Sequence, residues 1–440
     1  MMSKKIILLL LFVGFQLSAQ NKKWTLEECV DYAIKNNISI KQSELDVKTT
    51  SIENMEAIGG FLPTLNANAN YSINTGASIN PVTNQFQNET FKSVSAGASS
   101  NVTLFNGLAN WKTLQRAKLN KIANSYRLDK MKDDIALSVA NSYLQILFNK
   151  EQLKVQKNQN VITKENLKRT QDLIEAGAVP AGDIYELQAT DATQQQQIIG
   201  TENALLISKI ALCQTLLIEN YDTFDISDET IDLPLSNVSN ETQEAILAKA
   251  KESVKDVKIA LSNVDVAKKD VAISRSSYLP TLTGFVGYNT RWSESTPFNF
   301  VDQLSLFDGT AIGLQLNVPI LNGFATRGRV QRAKINQERA EIQLKQAELD
   351  LERNVYQAYN DVKNAIKSYE AAQKSLEARR QAFNFSKERY EVGLLNAFDF
   401  SQATLALENA QSEVIRTKYD YIFRTKILEF YFGIPLIKKQ

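Results

Sequence analysis

The sequence offers little for enzymatic chemistry. Its 440 residues contain no histidine, so neither a Ser–His nor a Cys–His nucleophilic pair can be assembled. The loop Gly177-Ala178-Val179-Pro180-Ala181-Gly182 lacks the Gly-Lys-Ser/Thr that a phosphate-binding loop needs. Four methionines without histidine give no support for a site specialised in soft metals. No catalytic residue, cofactor or metal ligand is expected. The residues that stand out are of other kinds. Gly177 and Asp183 recur as Gly393 and Asp399, with Arg389 and Tyr390 just before the second pair. Each Gly reads as a helix C-cap and each Asp as a charge favouring the positive end of the next helix, with a tunnel aperture or a docking surface as the alternative role. Cys29 and Cys213 are either two small buried apolar side chains or one disulfide.

These turns sit inside a larger duplication. Phe61-Leu62-Pro63-Thr64-Leu65 recurs as Tyr278-Leu279-Pro280-Thr281-Leu282. Leu104-Phe105-Asn106-Gly107 recurs as Ile320-Leu321-Asn322-Gly323, and Arg116-Ala117-Lys118 as Arg332-Ala333-Lys334. The last two pairs, and the Gly and Asp pairs, share one offset of 216 residues. Such constancy implies two structurally equivalent halves. Residues 1–19 read as an export signal, with Lys4 and Lys5 before the apolar run Ile6 to Phe15 and the small-residue end Leu17-Ser18-Ala19. The first repeat occupies 20–220, a linker 221–240, and the second repeat 241–440.

Each half has the order helix, strand, strand, very long helix, turn, helix. In the first, Thr25-Leu26-Glu27-Glu28 has the capping-box pattern that opens a helix running to about Ile58. Strands near 63–80 and 91–105 follow, then a helix over 107–176 and another over 183–217. The second half repeats this with a helix over 241–277, strands near 281–292 and 310–320, and helices over 323–392 and 396–432. Thr64 to Thr75 places Leu65, Ala67, Ala69, Tyr71 and Ile73 on one face, with Asn66, Asn68, Asn70, Ser72 and Asn74 on the other. Phe285 interrupts the polar face of the third strand. Strands of about 10 to 13 residues suit a tilted bilayer crossing, polar face to water and apolar face to lipid. A soluble sheet with one wet side has the same alternation, but small Asn and Ser, few charges and an export signal favour the envelope. Four strands are too few to close a membrane barrel, for which about eight is the minimum. Two copies would give eight strands and three would give twelve.

The two long helices span roughly 70 residues, on the order of 100 Å each. The shorter helices, laid in line, match them in length. Val139, Ile146, Leu153, Asn160, Leu167 and Ile174 form a heptad, repeated as Val355, Val362, Tyr369, Leu376, Phe383 and Tyr390, with Ala358, Ala365 and Ala372 between. The chain carries 50 Lys+Arg against 49 Asp+Glu, too balanced for a nucleic-acid surface. No stretch after the signal approaches the roughly 20 apolar residues of a transmembrane helix.

Taken together, these residues resemble the outer membrane efflux protein family, the TolC-like channels. The resemblance rests on Thr25-Leu26-Glu27-Glu28 through Ala33 and Asn36-Asn37, and on the two Leu-Pro-Thr-Leu strand starts. It also rests on Val318-Pro319-Ile320-Leu321-Asn322-Gly323, and on Arg389-Tyr390-Glu391-Val392-Gly393 before Asp399. It implies a mainly α fold with membrane β, in which each chain gives four strands to a trimeric twelve-stranded barrel above a long antiparallel α-helical barrel. It further implies an equatorial band, outer-membrane lipid around the strands, and a periplasmic adaptor and inner-membrane transporter docked through the tips. The implied function is an exit duct for efflux or type I secretion; a stand-alone porin would not need the helices, and a structural coiled-coil rod would not need the strands. This arrangement places Cys29 and Cys213 near the equator, close enough to bridge. The chain departs from the family's pattern at the first tip, which has Thr170-Gln171 and Leu173 instead of the Arg-Tyr pair. Leu108 and Phe324 also follow Asn-Gly where a second Gly is common.

Overall fold

In the computed structural model, residues 23–79, 84–177, 179–228, 238 and 241–434 are described. The expected export signal, Ala178 and most of the second half of the 221–240 linker lie outside them. The chain divides into two compact units. Residues 23–43, 128–257 and 348–434 make a helical unit, and 44–127 with 258–347 a unit that contains the main sheet. Helices continue from one into the other.

The chain opens with β1 (Lys23–Trp24), α1 (Leu26–Asn36) and α2 (Ile38–Gly59). The expected single helix to Ile58 is therefore broken at Asn37. Thr25 caps α1 through a reciprocal box with Glu28, which satisfies amides that the first turn leaves without partners. At the break, the Asn37 amide nitrogen donates to the Thr215 carbonyl and its oxygen accepts from Ser39 N–H. These bonds hold an extended ψ of 134° inside a helical run. The hairpin β2 (Thr64–Ile79) and β3 (Phe86–Asn106) follows, then α3 (Ala109–Glu175), α4 (Asp183–Leu216) and β4 (Asp225–Ile226).

The second half repeats the order with α5 (Gln243–Ser253) and α6 (Lys255–Ser276), again replacing one expected helix, here broken at Val254. Then come β5 (Thr281–Ser293), the short α7 (Phe300–Leu306), β6 (Gly309–Asn317), α8 (Ala325–Glu391) and α9 (Ala397–Phe432). Breaks and repeats coincide: Val254 lies 217 residues after Asn37, the interval that separates Tyr278 from Phe61. Helix α7 was not expected. Strand β6 also stops short of residue 320, because Pro319 has no N–H to give to a ladder.

In the helical unit the heptad positions form the core. Val139 and Ile146 are fully buried beside Cys29, Val30, Leu212, Leu216 and Ile226. Val355, Ala358 and Val362 pack with Ile246, Ala250 and Leu428. In the sheet unit, β2, β3, β5 and β6 run antiparallel in that order. The helices join all four strands at one end, at Thr64, Asn106, Thr281 and Asn317.

Candidate functional site

Residues opposite each other in an antiparallel ladder share a face, so the register assigns both faces of the sheet. Asn66 pairs with Ser99, Asn68 with Gly97, Asn70 with Ser95 and Ser72 with Ser93. That polar face continues onto β5 through Asn289, Arg291 and Ser293. The other face carries Tyr71 with Val94, then Trp292, and across β5 and β6 the pairs Leu282–Leu316, Gly284–Leu314 and Val286–Ile312. Phe285 does stand on the polar face, over Gly313. A Cβ at Gly313 would come within 2.8 Å of its ring, so the glycine gives the aromatic its place. The apolar face is bare: Leu65 is 78% exposed and Ile312 80%.

At the far ends of the long helices, Gly177 and Gly393 take positive φ of 70° and 75° and reverse the chain as C-caps. The two acidic residues divide their roles. Asn396, not Asp399, is the N-cap of α9: its oxygen accepts from Asp399 N–H at 2.8 Å while its amide donates to the Asp399 carboxylate at 3.0 Å. Asp183 opens α4 behind Gly182, which makes no side-chain cap. Both carboxylates lie in a first turn, where the helix dipole favours them.

The two tips are joined across the repeats. Thr170 Oγ1 and Tyr390 Oη are 2.6 Å apart and buried, and Arg169 donates to Glu391 at 3.1 Å. The Tyr390 ring lies parallel on Phe400, with centroids 4.5 Å apart, and the Phe383 ring also stacks with Phe400 at 5.8 Å. Burial raises the Tyr390 phenol above its ordinary pKa, so it stays a hydrogen-bonding hydroxyl. Thus Thr170, noted in the sequence only as a departure, is the partner of Tyr390. Phe400 carried no signal beyond its place after Asp399.

Nearer the start of the chain, β1 and β4 form a parallel two-stranded pair. Five charged residues pin it. Lys150 reaches Asp225 at 2.8 Å and Asp228 at 2.7 Å, Lys209 reaches Asp225 at 2.9 Å, and Lys23 pairs with Asp228. Burial alone would raise the Asp225 carboxyl, but the two lysines more than offset it and hold it below the ordinary carboxylate range. Cys29 and Cys213 lie buried together in the core beside this pair. Burial pushes the Cys213 thiol up to about 11, which leaves little thiolate for exchange at neutral pH.

A sheet with one polar and one bare apolar face, joined at one end to helices of 67 residues, defines an envelope-channel subunit. The sequence pattern of the outer membrane efflux protein family matches residues 29–216 and again 246–432, and the chain belongs to that family. The two matches start 217 residues apart and end 216 apart, in step with the internal repeat. The chain is 23% identical over 382 residues to the outer membrane protein TolC of Vibrio cholerae, covering 86% of this chain and 83% of that one. It is 23% identical over 312 residues to the proteases secretion protein PrtF of Dickeya chrysanthemi, covering 69% of this chain and 65% of the other. Among solved structures, the CmeC outer membrane channel of Campylobacter jejuni superposes with a TM-score of 0.81 at 18% identity, over 94% of this chain and 86% of that one.

Proposed function

We propose that this chain is the outer-membrane exit duct of an export system, closing a barrel with two further copies and conducting cargo passively from the periplasm. The observation that carries the reading is the two-faced sheet. Large apolar side chains on one whole face would be a severe liability in water, whereas lipid on that face and water on the other satisfy both. Strands β2 and β6 are the sheet's edges, and exposed edges call for strands from other copies. The family's name points to efflux and that of one relative to secretion of proteases, so the cargo class is left to whatever pump feeds the duct. Docking of a periplasmic adaptor and an inner-membrane transporter is assigned to the tips around Gly177, Asp183, Arg389, Gly393 and Asp399. There Val392, Leu394 and Phe398 expose large apolar side chains, a composition suited to a protein partner.

Purified protein reconstituted in planar bilayers is expected to conduct ions, and its mass in detergent to equal three chains. Deleting the gene should abolish export of at least one cargo. A non-conducting protein, or a deletion strain that exports every tested compound normally, would overturn the proposal.

A further inference from the structure

Helix α7 is built inside out. Its one deeply buried side chain is polar: Gln303 is 1% exposed. The large apolar side chains around it point outward, with Phe298 49%, Phe300 47%, Val301 72% and Leu306 57% exposed. The Gln303 carboxamide donates to the carbonyls of Ser293, Thr296 and Phe298 and accepts from Ser293 N–H at 2.9 Å. With Ser293 it therefore imitates a strand partner. Strand β6 begins only opposite Asn289, and the side chain of α7 satisfies backbone that the missing part of β6 would have paired. A helix on a watery surface has the reverse polarity. Internal satisfaction of polar groups with an apolar exterior is what hydrocarbon demands.

The position of α7 agrees. It lies at the end of β5 remote from the helix connections, and on one particular face. Thr290 Oγ1 donates to the Leu304 carbonyl at 2.7 Å, and the Phe300 ring is 5.6 Å from Trp292. Thr290 and Trp292 share their face with Val94, Val286 and Tyr288, so the apolar surface of the sheet continues without interruption onto the helix. Charge marks the rim, with exposed Asp302 and Asp308 and the pair Lys92–Glu294 at 3.4 Å. An aromatic pair between an apolar band and a charged rim is the composition of a membrane interface.

We infer that α7 is an interfacial anchor whose partner is lipid: Phe298, Phe300, Val301 and Leu306 enter the acyl–headgroup boundary of the outer leaflet. The inference rests on the outer-membrane reading above. The full chain carrying Val301→Cys is labelled with a nitroxide and reconstituted in phosphatidylethanolamine–phosphatidylglycerol vesicles. Ile312→Cys on the apolar face and Asn70→Cys on the polar face serve as references, and wild-type protein, whose two thiols are buried, gives the labelling background. At position 301 the ratio of oxygen to nickel-chelate accessibility should be several-fold above that at 70, at a depth shallower than 312. Two outcomes overturn the inference while 312 still reports lipid: a label at 301 as open to nickel as that at 70, or one shielded from both probes, which would place a second copy against α7. A label at 312 open to nickel would overturn the outer-membrane reading and the anchor with it.

Discussion

At the scale of single residues, the contact between Thr170 and Tyr390 has the clearest consequences. It is a buried hydroxyl pair between the two repeats, 220 positions apart. Tyr390→Phe keeps the stack on Phe400 and loses the hydrogen bond, so it should cost about 1 kcal/mol. Tyr390→Ala loses the stack as well and should cost roughly 3 to 5 kcal/mol. Thermal unfolding in detergent measures both; equal losses would mean that the ring contributes nothing. Strain at Phe324 gives a second expectation. Phe324 and Leu108 follow Gly323 and Gly107 with φ of 64° and 65°, so two non-glycine residues hold left-handed backbone at equivalent turns. This explains why a second glycine suits the position. Phe324→Gly should be neutral or stabilising, while Phe324→Val should destabilise by about 1 to 2 kcal/mol, since a β-branched residue tolerates that φ poorly. The cysteines give a third. Two thiols should react with a thiol reagent in denaturant and neither readily in the folded protein, where both are buried; freshly purified protein that releases no thiol on denaturation would show a bridge instead. Of these features the sequence showed the paired glycines and acids, because they recur at one offset. It could not show Thr170 with Tyr390, since the two are not equivalent positions and only packing brings them together.

The elements were legible where periodicity is long and hidden where a single side chain overrides it. The heptads and the strand alternation predicted both long helices and all four strands of the sheet. The breaks at Asn37 and Val254 have neither Pro nor Gly to mark them; at Asn37 a distant carbonyl, that of Thr215, decides the conformation. Asn37→Ala removes two side-chain hydrogen bonds and should cost about 1 to 2 kcal/mol. Helix α7 escaped because its outward apolar residues look, in sequence, like buried ones. Within the helical unit the heptad position Asn160 is buried, and its amide donates to Asp191 at 2.7 Å and Gln194 at 3.3 Å. Gln194 donates in turn to Glu408 at 3.2 Å. Burial raises the Glu408 carboxyl above its ordinary pKa, with the Gln194 bond opposing. A raised carboxyl binds its proton more tightly in the folded protein than in the unfolded chain. Its contribution is therefore least unfavourable below the unfolded pKa and grows more unfavourable as pH rises through the folded one. Glu408→Gln should raise the unfolding temperature at neutral pH, and the gain should fade as pH drops through the carboxylate range. A variant less stable than wild type at neutral pH would show that the ionised carboxylate is instead held by its neighbours.

At the scale of the whole molecule, the polar face of the sheet determines what kind of duct three copies would enclose. Along the β2–β3 register that face is Asn, Ser and Gly from Asn66 to Ser72 and from Ser93 to Ser99. Asn289 follows on β5, and Arg291 opposite Ser95 brings a fixed positive charge. The neutral amides and hydroxyls on this face hydrate a passing ion or solute without selecting its sign, whereas Arg291, present once per copy, favours anions. A ring of fixed charge selects by sign because a narrow water-filled lumen with low-dielectric walls concentrates the field. Asn70→Asp would introduce one carboxylate per copy at a position beside Ser95. In planar bilayers under a salt gradient, the reversal potential of this variant should shift towards cation selectivity, and the shift should shrink as ionic strength rises and the Debye length falls from about 10 Å at 0.1 M. Tyr71→Asp, one residue along and on the opposite face, should leave selectivity unchanged and instead impair insertion, since a charge there meets hydrocarbon. The contrast between neighbouring positions tests the closed barrel more directly than conductance alone. If both variants insert normally and neither moves the reversal potential, the sheet does not separate water from lipid and the duct must run elsewhere.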